Sequence, residues 1–303
     1  MALHSPLKRG MSNGDAMQAI GRVCLERFVD QVQAVRDARA PEGVHQARVA
    51  LRRLRAGMSL FKPMLGDPES RRVNADLWTI AAELGKARDL DVMLKRLRDL
   101  ALPEHIDLQP LITAFEAERA QAYDGVIAAL ANDRLERLVE ETAAWVETGH
   151  WLNGADRAHA KVRDKSVERF AGDELGRRTR KLRRSAKHLG DLDVRERHGV
   201  RIKAKKVRYG AEFFAPLAED KDQRRAAKAF IGALRPLQDC LGGLNDIATA
   251  SVMLREAGHG EDAARVGYAA GAAVEAIELN QDDLLKGAEK AASRFMKAKP
   301  FLD

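Results

Sequence analysis

The chain has 303 residues, 45% of them hydrophobic, 32% charged and only 5% aromatic, with a formal net charge of +7 and a sequence pI near 9.5. That length and apolar content suffice for one large domain or two medium ones, and Ala, Leu, Arg and Glu dominate, a helical composition poor in strand formers. No run approaches a membrane-spanning stretch of about 18 apolar residues, and Met1–Gly10 lacks the apolar centre of a signal peptide, so a soluble cytoplasmic protein is expected. Cys24 and Cys240 have no metal-like spacing and read as free buried thiols of a reducing compartment; no cofactor is expected.

Residues 1–14 are polar and read as a flexible tail. Ile20, Val23, Cys24, Phe28, Val32 and Val35 then recur at helical spacing from Asp15 to Asp37, before a break at Ala40–Gly43. Further helices are expected over residues 43–65, 69–100, 109–131 and 134–149, with Gly85 inside the second as a point of close approach. Residues 150–156 are the boundary between two halves, 15–153 and 154–297. Beyond it, helices are expected over 157–170, 173–189, 194–217, 220–257 with a kink at Pro236, and 261–296 interrupted near Gly287, before a short tail at 298–303. Helices of this length with short connections pack as antiparallel bundles, so the fold class is all-α.

The organising stretch is His45-Gln-Ala-Arg48-Val-Ala-Leu-Arg52-Arg53-Leu-Arg55, which returns without a gap, 153 residues later, as His198-Gly-Val-Arg201-Ile-Lys-Ala-Lys205-Lys206-Val-Arg208. The same offset carries Phe61 onto Phe214 and Pro63 onto Pro216. At about 100° per residue, His45, Arg48, Arg52 and Arg55 share an arc of about 80° beside an apolar stripe of Ala47, Leu51, Leu54, Met58 and Phe61. The second copy repeats this with His198, Arg201, Lys205 and Arg208, while Arg53 and Lys206 point elsewhere. Like charges at such spacings repel. One such helix is as well explained as a solvated face; two copies favour a polyanion site. A third basic helix carries Arg177, Arg180, Arg184 and Lys187 on one face, and residues 156–209 hold 19 Lys and Arg against 8 Asp and Glu. Asp89 and Asp246, in related Leu-Gly segments, either orient the basic groups or, the favoured reading, hold helices together by hydrogen bonds.

These residues resemble a known family. His-x-x-Arg-[Val/Ile]-x-x-[Arg/Lys]-[Arg/Lys]-x-Arg, present twice, is joined by Leu84-Gly85-x-x-Arg88-Asp89-x-Asp91-Val92, Arg208-Tyr209-x-x-Glu212-Phe213-Phe214 and Leu237-Gln238-Asp239-x-Leu241-Gly242-x-x-Asn245-Asp246. In that order they are similar to CHAD, the conserved histidine α-helical domain, over residues 15–297. The resemblance implies two four-helix bundles related by pseudo-two-fold symmetry, with basic side chains from both lining a central cavity or pore. It also implies binding of inorganic polyphosphate, location at polyphosphate granules in some members, and proteins of polyphosphate metabolism as partners. The implied ligand contacts are His45, Arg48, Arg52, Arg53, Arg55, His198, Arg201, Lys205, Lys206 and Arg208. Arg88 has Asn245 as its counterpart, so the duplication is not strict there. Many relatives add a barrel-shaped triphosphate hydrolase with a Glu-x-Glu-x-Lys signature; this chain has none and is expected to be a stand-alone binding domain.

Two other functions remain open in the residues. Nucleic-acid binding suits the pI and the 177–188 helix, although Trp78, Trp145, Trp151 and Tyr209 do not interleave with the basic runs. Catalysis is weaker: no phosphate-binding Gly-rich loop or His-Glu-x-x-His occurs, and a metal on Asp89, Asp91 and His45 would sit against Arg neighbours.

Overall fold

The computed structural model describes residues 5–38, 41–154, 156–257 and 263–302. Among these, regular structure is helical: α1 (Asn13–Ala38), α2 (Pro41–Leu60), α3 (Pro68–Arg98), α4 (Gln109–Leu130), α5 (Asp133–Thr148), α6 (His150–Asn153), α7 (Arg157–Arg163), α8 (Val167–Ser185), α9 (Val194–Phe214), α10 (Lys221–Glu256), α11 (Ala263–Glu278) and α12 (Gln281–Lys297). The exceptions are short 3-10 turns and one isolated bridge between Ser12 and Ser166. None of these helices is long and apolar enough to cross a membrane. Ala40, Ala155, residues 1–4 and Asp303, on which expected breaks and tails fall, lie outside the described residues.

Side-chain caps start the helices that carry the basic motifs and their partners. Asp67 accepts from the Ser70 N–H at the start of α3, Asp220 from Gln223 at the start of α10, and Asp193 with Glu196 forms a reciprocal capping box on α9. Packing is antiparallel in the helix pairs that carry the motifs. Gly43 lies on Val35 while Gly57 lies on Ile20, which sets α2 against α1. Arg48 reaches Ala81 and Arg55 reaches Asn74, setting α2 against α3. In the second half His198 meets Asn245 and Ala204 meets Gln238, so α9 runs against α10; Gly243 on Leu284 and Gly287 on Cys240 do the same for α10 and α12. The two groups of helices join where α2 meets α9 and α4 meets α11.

Several boundaries differ from expectation. The helix break expected at 171–172 falls at 164–166, because Ala171 and Gly172 are buried inside α8 and packing there overrides the low helix propensity of glycine. The last helical run breaks at Leu279-Asn280, not at Gly287. Gly287 is inside α12, where a Cβ would stand 3.0 Å from the Cys240 sulfur; it permits close packing on α10. Cys240 is half-buried, whereas Cys24 is buried as expected and its thiol is pushed up to about 12 by desolvation. Helix α10 continues through Pro236.

Neither tail is loose where the structure describes it. Ser5 donates to the Phe213 carbonyl at 2.6 Å and Arg9 to that of Leu217 at 2.9 Å. The Gly10 N–H donates to Glu168, the Asn13 N–H to the Lys165 carbonyl, and Leu7 is buried. Residues 5–14 thus bind the start of α8 and the end of α9 before entering α1. At the other end Phe301 packs its ring 6.1 Å from Phe230, and Leu302 is buried. Replacing Leu7 with Ala is expected to destabilise the protein by about 2 kcal/mol in urea unfolding, as for a buried leucine in a core; a change within 0.5 kcal/mol, a surface residue's value, would show the segment to be loose.

Candidate functional site: a basic groove between the two motif helices

On α2 the residues Ala47, Leu51, Leu54 and Met58 are buried, and on α9 so are Val200, Ala204, Val207 and Ala211. Each basic arc therefore lies along the margin of a buried stripe. The helices meet through apolar groups: Phe61 is edge-on to Phe214 at 6.4 Å and stacked on Phe170 at 5.2 Å, and a Cβ on Gly210 would stand 3.2 Å from Leu60. This contact brings the two basic arcs together.

Three cavities run along the junction. A cleft of about 760 Å³ has Arg48, Arg52 and Arg55 as one wall and Ala81, Ala82, Gly85 and Asp89 of α3 as another. Arg52 and Arg55 also border a second cavity of about 710 Å³, into which α9 brings Lys205 and Lys206, with Lys62 and Arg71 alongside. Lys62 and Lys206 in turn border a third, of about 580 Å³, with Arg177, Lys181, Lys203 and His159. The shared lining sets the three side by side as a basic groove along the junction. Its middle cavity has six basic residues on its wall and no acidic one.

The charges are crowded enough to shift one another. Burial is the main cause that lowers the Lys205 ammonium to about 8, reinforced by Arg201 and Arg52 and opposed by Asp246. Burial also lowers Arg48, against the pull of Asp89, and Arg201, against the pull of Asp246. Asp89 is raised by burial, held down by Arg48, and raised again by Asp246. The two carboxylates are thus near each other, each beside the cations of its own motif. Asp89 acts on Arg48, and Asp246 on Arg201 and Lys205, through charge. His45 is lowered by burial, then by Arg88, and is neutral at pH 7.

The expected contacts separate into distinct groups. Arg48, Arg52, Arg55, Lys205, Lys206 and Arg177 line the groove. Arg201 sits within electrostatic reach of Arg52 and Lys205. Arg208 lies over Tyr209 and 3.2 Å from Glu212. Arg53 is not a groove residue: it is buried, 3.0 Å from Glu212 and over the Phe213 ring at 4.8 Å, a link between α2 and α9. His198 bonds Asn245 at 2.7 Å in a separate pocket, and Arg88 borders another with Arg119 and Asp91. Arg180, Arg184 and Lys187 are exposed and border none of these three cavities. Asp91 is held by Arg119 at 2.7 Å and Tyr123 at 2.9 Å.

Lys62, Lys181 and Lys203 line the groove without having been expected there. Lys203 and Lys206 lie off the main arc of α9, so the basic surface wraps around that helix; the excess of basic residues over 156–209 was the only sequence signal. Gly85 has the close approach expected of it. Arg48 fills the space, with its guanidinium 2.5 Å from where a Cβ would be and donating to the Ala81 carbonyl at 3.1 Å. Of the aromatic residues that do not interleave with the basic runs in sequence, Tyr209 is buried under Arg52 and Trp78 is exposed at the first cleft.

The profile of the CHAD domain matches residues 19–255. The chain belongs to the CHAD-domain family. Its fold is similar to the crystal structure of the CHAD domain from the plant Ricinus communis, with a TM-score of 0.82 and 26% identity over 97% of this chain and 96% of that one. It is also similar in fold to PptA from Streptomyces chartreusis, with a TM-score of 0.65 and 16% identity over 95% and 99% of the two chains. Two Mycobacterium tuberculosis sequences, the uncharacterized proteins MT2285 and Rv2226, are each 30% identical over 198 residues; the match covers 62% of this CHAD chain and 37% of theirs.

Two outcomes follow from the contrast between paired and crowded cations. Arg53→Met is expected to destabilise the protein by about 2 kcal/mol by removing the buried one of the two guanidinium partners of Glu212, whereas Arg52→Met leaves stability within 0.5 kcal/mol; equal effects in chemical unfolding would refute the division. Lys205→Met is expected to raise the melting temperature at pH 7. Because the folded pKa is below the unfolded one, the lysine's penalty is complete below about 8 and fades as pH rises toward 10.5, so the variant's advantage shrinks across that window.

Proposed function

We propose that this CHAD-domain protein binds inorganic polyphosphate along the basic groove, without catalysing its hydrolysis. The observation that carries this reading is the middle cavity, where both motif copies supply cations and no carboxylate lines the wall. A linear anion with about one charge per phosphate and no base edges needs many donors and no hydrogen-bond code. Arginine offers a planar fork for phosphate oxygens and lysine a point charge. Arg48, Arg52, Arg55, Lys205 and Lys206 are the central contacts, with Lys62, Lys181, Lys203 and Arg177 extending the track. Arg201 and Arg208 add field, and Asp89 and Asp246 keep the cations oriented.

The groove is read as the junction of two related units, residues 15–153 and 154–297, about a pseudo-two-fold axis. Residues exchanged by such an axis touch only near it. Phe61 and Phe214, equivalent in sequence, are in ring contact, and Asp89 and Asp246 feel each other's charge. In the cell the proposed location is cytoplasmic, on polyphosphate granules, alongside proteins of polyphosphate metabolism.

Neutralising Arg52 and Lys205 together is expected to weaken binding of long-chain polyphosphate by about tenfold or more while circular dichroism stays unchanged. Displacement of polyphosphate by oligonucleotides at equal phosphate concentration would instead assign the groove to nucleic acid. Affinity is also expected to fall as pH rises through about 8, where free Lys205 loses its proton, and to stay level in Lys205→Arg. A titration series at pH 7 to 9.5 checks this; identical profiles would remove Lys205 from the contact set.

A further inference from the structure

The first cleft differs in chemistry from the rest of the groove. Beyond Arg48, Arg52 and Arg55 it is bordered by Trp78 and Met253 and by the carboxylates Asp89, Glu118 and Glu256. A bare phosphate chain gains nothing from an indole or a thioether and is repelled by carboxylates. The middle cavity, by contrast, has no acidic residue on its wall.

Trp78 has no structural task that would explain its position. The other two tryptophans are 0% and 1% exposed, lie 5.9 Å apart, and each donates its indole N–H, Trp145 to Ser70 and Trp151 to a carbonyl. Trp78 is 57% exposed, and among the described residues its N–H has no hydrogen-bond acceptor. It stands on α3 one turn before Ala81 and Ala82 and two before Gly85. These small side chains leave an open floor between the indole and the Arg48 guanidinium, one nitrogen of which approaches Gly85. An exposed aromatic face beside guanidinium groups suits a planar base joined to phosphates, and a carboxylate rim can accept hydrogen bonds from amino and hydroxyl groups. The volume, about 760 Å³, is that of a ligand-sized site.

We infer that this end of the groove accepts a nucleoside polyphosphate, its base stacked on Trp78 and its phosphates on Arg48, Arg52 and Arg55. This rests on the phosphate-binding reading above and adds a chemical class to it. Inorganic tripolyphosphate carries at least as much charge as ATP, so a preference for ATP has to come from the nucleoside.

The test is calorimetric titration of the full chain, in metal-free buffer, with ATP, inorganic tripolyphosphate and long-chain polyphosphate as separate probes. ATP is expected to bind about tenfold tighter than tripolyphosphate, the scale of one base stacked on an aromatic ring, and to quench the exposed tryptophan's fluorescence. Trp78→Ala should bring the two within twofold and leave long-chain affinity unchanged, while Trp78→Phe keeps most of the preference. Tripolyphosphate binding as tightly as ATP to the native chain overturns the inference, as does a preference that survives in Trp78→Ala. Parallel loss of long-chain affinity in that variant also overturns it, because Trp78 would then support the groove as a whole. If long-chain polyphosphate binds and ATP gains nothing, the inference fails alone; if neither binds, the phosphate reading fails with it.

Discussion

Everything in this structure depends on pressing two positively charged helices together. Helices α2 and α9 each carry a basic arc, and the electrostatic term between them is unfavourable at any separation. Contact is maintained by uncharged groups: the Phe61, Phe170 and Phe214 cluster, and Gly210, which lets Leu60 approach. The ion pair of Arg53 with Glu212 links α2 to α9 and is placed away from the groove. Hydrophobic contact is insensitive to salt and charge state, so the cations can be left uncompensated where they face open space.

Arginine and lysine respond differently to that crowding. A guanidinium keeps its proton whatever its neighbours do, so Arg48, Arg52, Arg55 and Arg201 store repulsion. Lysine can shed a proton, and Lys205, facing Arg52 across the junction, does so near pH 8. The exchange of Arg for Lys between equivalent positions 52 and 205 therefore gives the two walls of one cavity different responses to pH. Asp89 and Asp246 moderate the field without occupying its middle.

The helical class, the apolar stripes and the convergence of Arg52, Arg55 and Lys205 were legible from periodicity and from the repeat, because burial of a stripe fixes where its neighbours point. Arg53 shows the limit of that logic. Its angle placed it off the main arc but could not say that Glu212 would be there to meet it. Lys62 follows the end of α2 and escapes a helical projection, and Lys203 points away from the arc that organises the other cations. The break at 164–166 was hidden because Ala171-Gly172 is the weaker local helix former, and only burial shows why α8 runs through it. Trp78 does not interleave with the basic run in sequence, and only the antiparallel packing of α3 on α2 brings it to the cleft that Arg48, Arg52 and Arg55 line.

The N-terminal segment has a consequence for how the molecule is made. Ser5 and Arg9 bond to carbonyls 208 residues further on, and Gly10 and Asn13 to groups at the start of α8. A ribosome releases those partners only after the whole first group of helices has emerged. Residues 5–10 must therefore wait, without these partners, until α9 and the turn after it have left the exit tunnel. Contacts that span so much chain form late. Closure of this strap therefore waits for α8 and for α9, the helix that brings the second basic arc to the groove.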